Sequence, residues 1–302
     1  MVSTTASAIK EWRKNNKVIC NVKLKYKKVL RKCREIPLTG GKYKEYQQFC
    51  QTYACAKLTG ATPGLVSFED KPFKAYLNKK MSKRAKLNIA HGALQFIEKR
   101  FNPDVLPQLY NVTAFGRSMI DIPLKNGTSL EVKLLASPFQ EEGELMLQMF
   151  LDNKRVYSIC FSCTEQGSAW IGGIQGGKDI SNDEVKALTK ELYGTRPKNL
   201  IITLLYGLLR HFDIREIYAI DSDYHVKSDK VKASYSELWL DIGGEKQRRG
   251  WYKLPAEEIK KRLEEVKSKH RSQFIKREGL KELAQLDLIA ALREISVGQH
   301  AH

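Results

Sequence analysis

Apolar positions recur at helical spacing along residues 83–100: Leu87, Ala90, Leu94 and Ile97 fall on one face behind Ser82, while Lys83, Arg84, Lys86 and Lys99 take other faces. The pattern predicts an amphipathic helix with a basic side. The stretch before it reads as mainly helical too, first a basic segment to about residue 35 and then a polar run with Tyr43, Tyr46, Phe49 and Tyr53. Pro103 and Pro107 close this region near residue 105.

From residue 112 the period drops to two. Ser118 to Pro123 and Ser129 to Leu135 are joined by Lys125-Asn126-Gly127-Thr128, a turn whose Asn-Gly supplies the positive φ of a tight hairpin. A meander follows: Gly143 to Leu151, a turn at Asp152-Asn153, Arg155 to Cys163, a turn at Glu165-Gln166-Gly167, and Ala169 to Gln175. Ser181 with Glu184 then forms a capping box ahead of a helix ending at Gly194, and Pro197 opens a second helix, apolar on most sides. A strand Glu216 to Ile220, a polar loop to Lys230, a short helix carrying Tyr235 and Trp239, and a strand Gly250 to Leu254 complete this part. A long charged helix is expected from Pro255 to about Gly279, and a last one to about residue 295. The expected organisation is a basic helical region over 1–105, an α/β core over 106–255 and a helical segment over 256–302.

Composition narrows the functional classes. The 302 residues are 42% apolar and 9% aromatic, enough for a sizeable core. Lys and Arg number 52 against 34 Asp and Glu, a formal charge of +18 concentrated in Lys10 to Arg34, Lys71 to Arg100 and Lys246 to Arg277. Such an excess attracts polyanions, so RNA or DNA, an anionic membrane surface and an acidic protein such as an acyl carrier protein are the candidate partners. The longest apolar stretch, Leu200 to Leu209, is about half a membrane span, and no secretory leader is visible at the amino end. The expectation is a cytoplasmic protein with six free thiols, peripheral at the inner membrane at most. Cys160-x-x-Cys163 lies on a strand pattern without a second Cys/His pair, so no metal site is expected.

The segment Trp170-Ile171-Gly172-Gly173-Ile174-Gln175-Gly176-Gly177-Lys178 is a strand ending in glycines ahead of a capped helix. Glycines let backbone approach an anion closely, and they also mark places where strands bulge or stop; sequence leaves both readings open.

At this point the chain resembles the bacterial VirK/YbjX proteins. The resemblance is carried by Phe73-Lys74-Ala75-Tyr76-Leu77 with the helix to His91, Glu141-Glu142-Gly143-Glu144-Leu145, Ile171 to Gly176, Thr195-Arg196-Pro197-Lys198, His225-Val226, Tyr235 to Trp239 and the basic run from Ser268 to Arg277. It covers about residues 70–285 and implies a link to bacterial envelope stress and virulence, with no general reaction attached. The order of elements also resembles the GNAT acyltransferases: an α+β fold with a mostly antiparallel mixed sheet flanked by helices. That resemblance implies a loop holding the donor's phosphate or pantetheine, here Gly173, Gln175, Gly176, Gly177 and Lys178. The usual Gln/Arg-x-x-Gly-x-Gly/Ala is replaced by Gln175-Gly176-Gly177-Lys178-Asp179-Ile180.

Acyl transfer to an amine needs a base, an oxyanion site and an acid for the leaving group. His225, in a loop with Asp221, Asp223 and Tyr224, is the expected base, with Asp223 to orient it and Tyr235 as the acid. Arg196 is expected to hold a phosphate or carboxylate. The functional expectation is an acyl- or aminoacyltransferase. It carries no tightly bound cofactor, takes an acyl thioester or aminoacyl-tRNA as donor, and uses its charge to recruit acyl carrier protein or tRNA. The alternative is a non-catalytic basic module that binds nucleic acid or an anionic envelope surface.

Overall fold

The computed structural model describes residues 41–51, 68–111, 116–229 and 234–297. The chain divides into two units, Met1–Gln48 and Phe49–His302. In the first, residues 41–48 are helical. The basic run Lys10 to Arg34 and Tyr53 lie outside the described residues.

The second unit is built on one eight-stranded sheet. Its strands are β1 (Arg117–Pro123), β2 (Ser129–Ala136), β3 (Leu145–Leu151), β4 (Lys154–Cys163), β5 (Ser168–Gly176), β6 (Glu216–Ile220), β7 (Glu245–Gln247) and β8 (Trp251–Leu254). They lie in the order β1-β2-β3-β4-β5-β6-β8-β7. Every neighbouring pair is antiparallel except β5 with β6. This is the expected α+β arrangement, a meander whose glycine-bearing fifth strand leads through helices to a parallel neighbour. The hairpin between β3 and β4 turns on Asp152 and Asn153, both at positive φ (49° and 60°), whose short polar side chains tolerate it. β3 is buried along almost its whole length, in keeping with a sequence that is apolar except for Gln148.

Helices pack around the sheet. In α1 (Lys83–Arg100) Ser82 caps the amino end by accepting from the Ala85 amide, and the predicted stripe Leu87, Ala90, Leu94 and Ile97 is buried. In α2 (Asn182–Glu191) the capping box of Ser181 and Glu184 is present in both directions. The next helix, α3 (Pro197–His211), is buried from Leu200 to Leu209, so that run is core. A short α4 (Tyr235–Asp241) buries Tyr235, Leu238 and Trp239, and the Trp239 indole donates to the Ile220 carbonyl (2.7 Å).

The carboxyl-terminal part differs from expectation. Pro255 does not start a helix; residues 255–262 are irregular, and one unbroken helix, α5 (Ser268–Ile295), runs through Gly279. Glu258 explains the first difference, because its carboxylate is drawn inward to the Thr203 hydroxyl and the Lys281 ammonium, each 2.8 Å away. Packing explains the second. A lone glycine costs a helix about 1 kcal/mol, and α5 buries Leu288, Leu292 and Ile295. Its close approach to α3 is allowed by Gly207, beside which Gln285 donates to the Thr203 carbonyl (2.6 Å). No helix among the described residues is long and apolar enough to cross a membrane.

Candidate functional site

β5 pairs with β6 only from Ser168 to Ile171, yet continues to Gly176 along β4. The two strands therefore part company half-way along β5. At the parting point the β4–β5 register slips: Cys160 faces Gly173 and Phe161 faces Ile171, which leaves Gly172 as the extra residue of a bulge. Bulge and split together free one flank of β5. At Ile174 the flank is already occupied, because the Tyr235 hydroxyl donates to its carbonyl (2.8 Å) and accepts from its amide (3.4 Å).

Two loops close over this strand end, and the segment Tyr76 to Lys80 ties them together. The Leu77 amide donates to the Glu141 carbonyl (2.7 Å), and the Lys79 amide donates to the Tyr224 carbonyl (3.0 Å). Asn78 donates to the Arg249 carbonyl from its side chain (2.8 Å). Leu77 holds φ at 56° while fully buried, a strained conformation for a branched aliphatic residue.

The loops deliver Glu142 and His225 to the same spot, both about 1% exposed. The Glu142 Oε2 atom accepts from the Gln175 side-chain amide (2.7 Å). Its Oε1 atom faces His225 Nε2 and Lys227 Nζ, each 3.7 Å away. Lys227 bonds directly to Glu141. Burial raises the Glu142 carboxyl above its ordinary value, against the pull of Gln175 and Lys227. For Glu141 burial acts in the same sense but the Lys227 bond overcomes it, so that carboxyl sits low. Burial, with the Lys227 charge beside it, lowers His225 and keeps the ring neutral. Its Nδ1 accepts from the Lys227 amide (3.0 Å), so the neutral ring carries its proton on Nε2. Nε2 lies 3.7 Å from Glu142 Oε1, beyond hydrogen-bond length, with the Gly172 backbone also beside the ring.

The imidazole is thus a neutral ring beside a buried carboxylate, and Glu142 is the candidate basic group of the site. Asp223 does not take the orienting role expected of it. It is exposed, and its amide donates to Asp221 Oδ1 (3.0 Å), while the Lys227 amide fixes the ring. Tyr235 does lie beside His225, edge to face with ring centres 5.9 Å apart, but its hydroxyl is spent on Ile174. Burial raises that phenol.

The glycines divide in the same residue-by-residue way. A Cβ on Gly173 would lie 2.5 Å from Glu142 Oε2 and 3.3 Å from His225 Nε2, so this glycine makes room for the carboxylate. A Cβ on Gly172 would lie 2.1 Å from the Glu142 carbonyl oxygen, and one on Gly177 only 1.6 Å from that of Arg155. The Gly177 amide is already bonded to the Val156 carbonyl (2.8 Å). Gly176 and Lys178 are exposed. The following helix end is closed by its own capping box, with Glu184 also paired to Lys154 (2.8 Å) and Asp183 to Lys186 (3.0 Å). An anion has little to gain there. Arg196 stands apart from the strand end, at the start of α3 in a cleft lined also by residues of α5.

A second buried polar group lies on the same loop. Lys71 and Glu144 form an ion pair with side chains only 4% and 3% exposed, beside Tyr76, whose hydroxyl meets that of Ser162 at 2.9 Å. The stretch Glu141 to Leu145 contributes all three carboxylates, so the signal for Glu142 is present in the sequence as an acidic turn around a glycine.

The profile of a family of proteins of unknown function, DUF535, matches residues 24–289, which include every element of the site. The chain belongs to the DUF535 family, the VirK/YbjX proteins. It is 27% identical over 176 residues to the uncharacterized protein YbjX of Escherichia coli strain K12, a match spanning 54% of this chain and 53% of that one. An uncharacterized protein of Haemophilus influenzae is 26% identical over 230 residues, 68% of this chain and 75% of that one. The chain thus spans about half the length of the first relative and three quarters of the second. Among solved structures, a cAMP-binding acyltransferase from Mycobacterium smegmatis gives a TM-score of 0.32 at 10% identity, over 62% of this chain and 60% of that one. A variant of the same enzyme gives 0.33 at 11% identity. A likeness of that size is too slight to assign a fold or an activity.

Proposed function

We propose that the chain is a GNAT-like acyl- or aminoacyltransferase that passes an activated acyl group from acyl carrier protein, coenzyme A or aminoacyl-tRNA to an amine or hydroxyl acceptor. The reading is carried by the array at the parted end of β5, a buried carboxylate of raised pKa held between Gln175 and His225 beside the Gly172 bulge. A carboxylate tuned upward by burial is suited to take a proton near neutral pH.

In the step proposed, the acceptor nitrogen or oxygen attacks the donor carbonyl and Glu142 takes its proton. The carbon–sulfur or carbon–oxygen bond to the donor then breaks, and the leaving thiolate or ribose oxygen recovers that proton. His225 acts as a positioning residue whose Nε2 proton steadies the Glu142 anion.

The test incubates the purified chain with acyl-carrier-protein thioester, acyl-coenzyme A and aminoacyl-tRNA in turn, following free thiol or deacylated tRNA and the acylated acceptor by mass spectrometry. Glu142→Gln should cut turnover by about a hundredfold or more in a protein of unchanged circular dichroism. Full turnover in that variant would remove the assignment of the base. A folded chain that binds nucleic acid and consumes none of the three donors would return the protein to the non-catalytic class.

A further inference from the structure

The structure has no free anion-binding backbone at the capped amino end of α2, yet the starts of α3 and α5 carry no side-chain cap and open onto one place. Arg196 stands at the amino end of α3 and Lys267 at that of α5, and neither cap makes a side-chain hydrogen bond. The α3 end lines a cleft of about 390 Å³, and the α5 end lines an adjoining one of about 340 Å³. The two share Gly194, Lys261, Phe274 and Arg277 as walls. Pro197 has no N–H, and the Asn199 and His270 amides close back on the Arg196 and Lys267 carbonyls, so Lys198 at the α3 start and Ser268 and Lys269 at the α5 start supply the backbone donors and positive potential over this space.

Charge adds to it. Most of the acids on the walls are paired, Lys281 with Glu258 Oε1 (2.8 Å) and Glu278 (3.3 Å) and Arg277 with Glu278 (3.3 Å), while Glu258 Oε2 is buried without a hydrogen-bond partner. Glu265 accepts from the Arg262 amide (3.3 Å), which leaves exposed Asp241. Arg196, Lys260, Lys261 and Lys267 line these clefts with no ion pair among the described residues. Thr195 supplies a second and independent sign. It lines the larger cleft, is 4% exposed, and its hydroxyl has no hydrogen-bond partner. A buried hydroxyl left unpaired is costly and calls for a partner.

We propose that this double cleft is a phosphate site, taking a phosphomonoester or pyrophosphate group of a ligand on the α3 and α5 helix starts, the Thr195 hydroxyl and the Arg196 and Lys261 side chains. If the chain is the transferase proposed above, this is where the donor's phosphate is recognised; the binding itself does not depend on that reading. Phosphate recognition is thereby separated from the glycine-rich strand end.

Titration calorimetry of the full chain with inorganic pyrophosphate tests it. One site per chain is expected, with Arg196→Ala and Lys261→Ala each weakening binding about tenfold or more. Thr195→Val should weaken it several-fold without lowering Tm, since it removes a hydroxyl that bonds nothing in the free protein. A purely structural threonine would give the opposite pair of results. Lys178→Ala should change affinity by less than about twofold. Competition by coenzyme A or by a short single-stranded oligonucleotide names the source of the phosphate, and either one supports the site. No binding at about 1 mM, or binding that falls with Lys178→Ala and not with Arg196→Ala, overturns it. Glu142→Gln should bind pyrophosphate normally, so loss of transfer and loss of this site register separately.

Discussion

Four neighbouring glycines permit a decisive stability experiment, because a ligand cradle and a packing requirement rank them differently. Alanine at Gly177 places a Cβ 1.6 Å from the Arg155 carbonyl oxygen, and at Gly172 one 2.1 Å from the Glu142 carbonyl oxygen. Both obstacles are backbone, so the strand must move. We expect losses above about 3 kcal/mol for each, the upper end of overpacking costs. At Gly173 the obstacle is the Glu142 carboxylate at 2.5 Å, a side chain that can yield only by stretching its 2.7 Å bond to Gln175. That substitution should cost about 1–3 kcal/mol. At Gly176 the nearest atoms belong to the Tyr157 ring at 3.7–3.8 Å, an ordinary contact, so Gly176→Ala should stay within about 0.5 kcal/mol or stabilise slightly. Urea denaturation of the four variants, with Tm as a check at roughly 2–4 °C per kcal/mol, gives the order Gly177 and Gly172, then Gly173, then Gly176. Equal and small losses at all four, or the largest loss at Gly176, would refute the packing account and restore an open phosphate loop.

Because burial raises Glu142 above its ordinary 4.5, the folded state favours its protonated form, and the ionised carboxylate costs stability at neutral pH. Glu142→Gln should therefore stabilise the fold near pH 8, by about 1.4 kcal/mol per unit of the shift, and the gain should vanish as pH falls toward the unfolded value, which paired denaturation curves across pH will show. His225 is lowered from 6.5, so stability present above that value is lost as pH falls, and His225→Gln should flatten that acid limb in the same curves. Lys71→Met strands the Glu144 carboxylate and should cost about 3–5 kcal/mol, while Lys71→Met with Glu144→Leu should recover most of it. Burial pushes the Cys160 and Cys163 thiols up, so neither should react with iodoacetamide until denaturant is added, as intact-mass measurement will report.

What was legible in the sequence was whatever periodicity and local chemistry decide. The α1 stripe, the Ser181–Glu184 box, the Asp152-Asn153 turn and the meander all follow from contacts within a few residues. The last helix was not, because Gly279 and Pro255 are local signals outweighed by packing against α3 and by the pull of Thr203 and Lys281 on Glu258. In the site, His225, Tyr235, Gly173 and Gln175 do come together. The expected roles shift for non-local reasons: Asp223 is displaced by a carboxylate 83 positions from His225 in the chain, and the tautomer is set by the Lys227 amide. Nothing in a turn written Glu-Glu-Gly-Glu reveals which carboxylate will face inward. Arg196 reads as a phosphate ligand from sequence, but the α5 residues that share its cleft lie about eighty residues further along and become neighbours only through the packing of α5 on α3.

The stability side of this arrangement points the same way as the chemistry. The sheet needs no polar group at the end of β5, since its core is closed by apolar residues such as Leu147, Ile159, Ile171 and Ile174. There the chain instead places a carboxylate raised by burial, an imidazole with an unpaired Nε2, and a leucine held at φ 56°. Each of these costs stability that an apolar residue or a glycine would not, and none is compensated by a closed hydrogen-bond network. A local rule broken once can be drift in a core. Three broken around a single bulge, on loops bound to one another through Leu77 and Lys79, are what the proposed transfer site accounts for and packing alone does not. For that reason Glu142→Gln is the most informative variant here: it should be both the more stable protein and the inactive one.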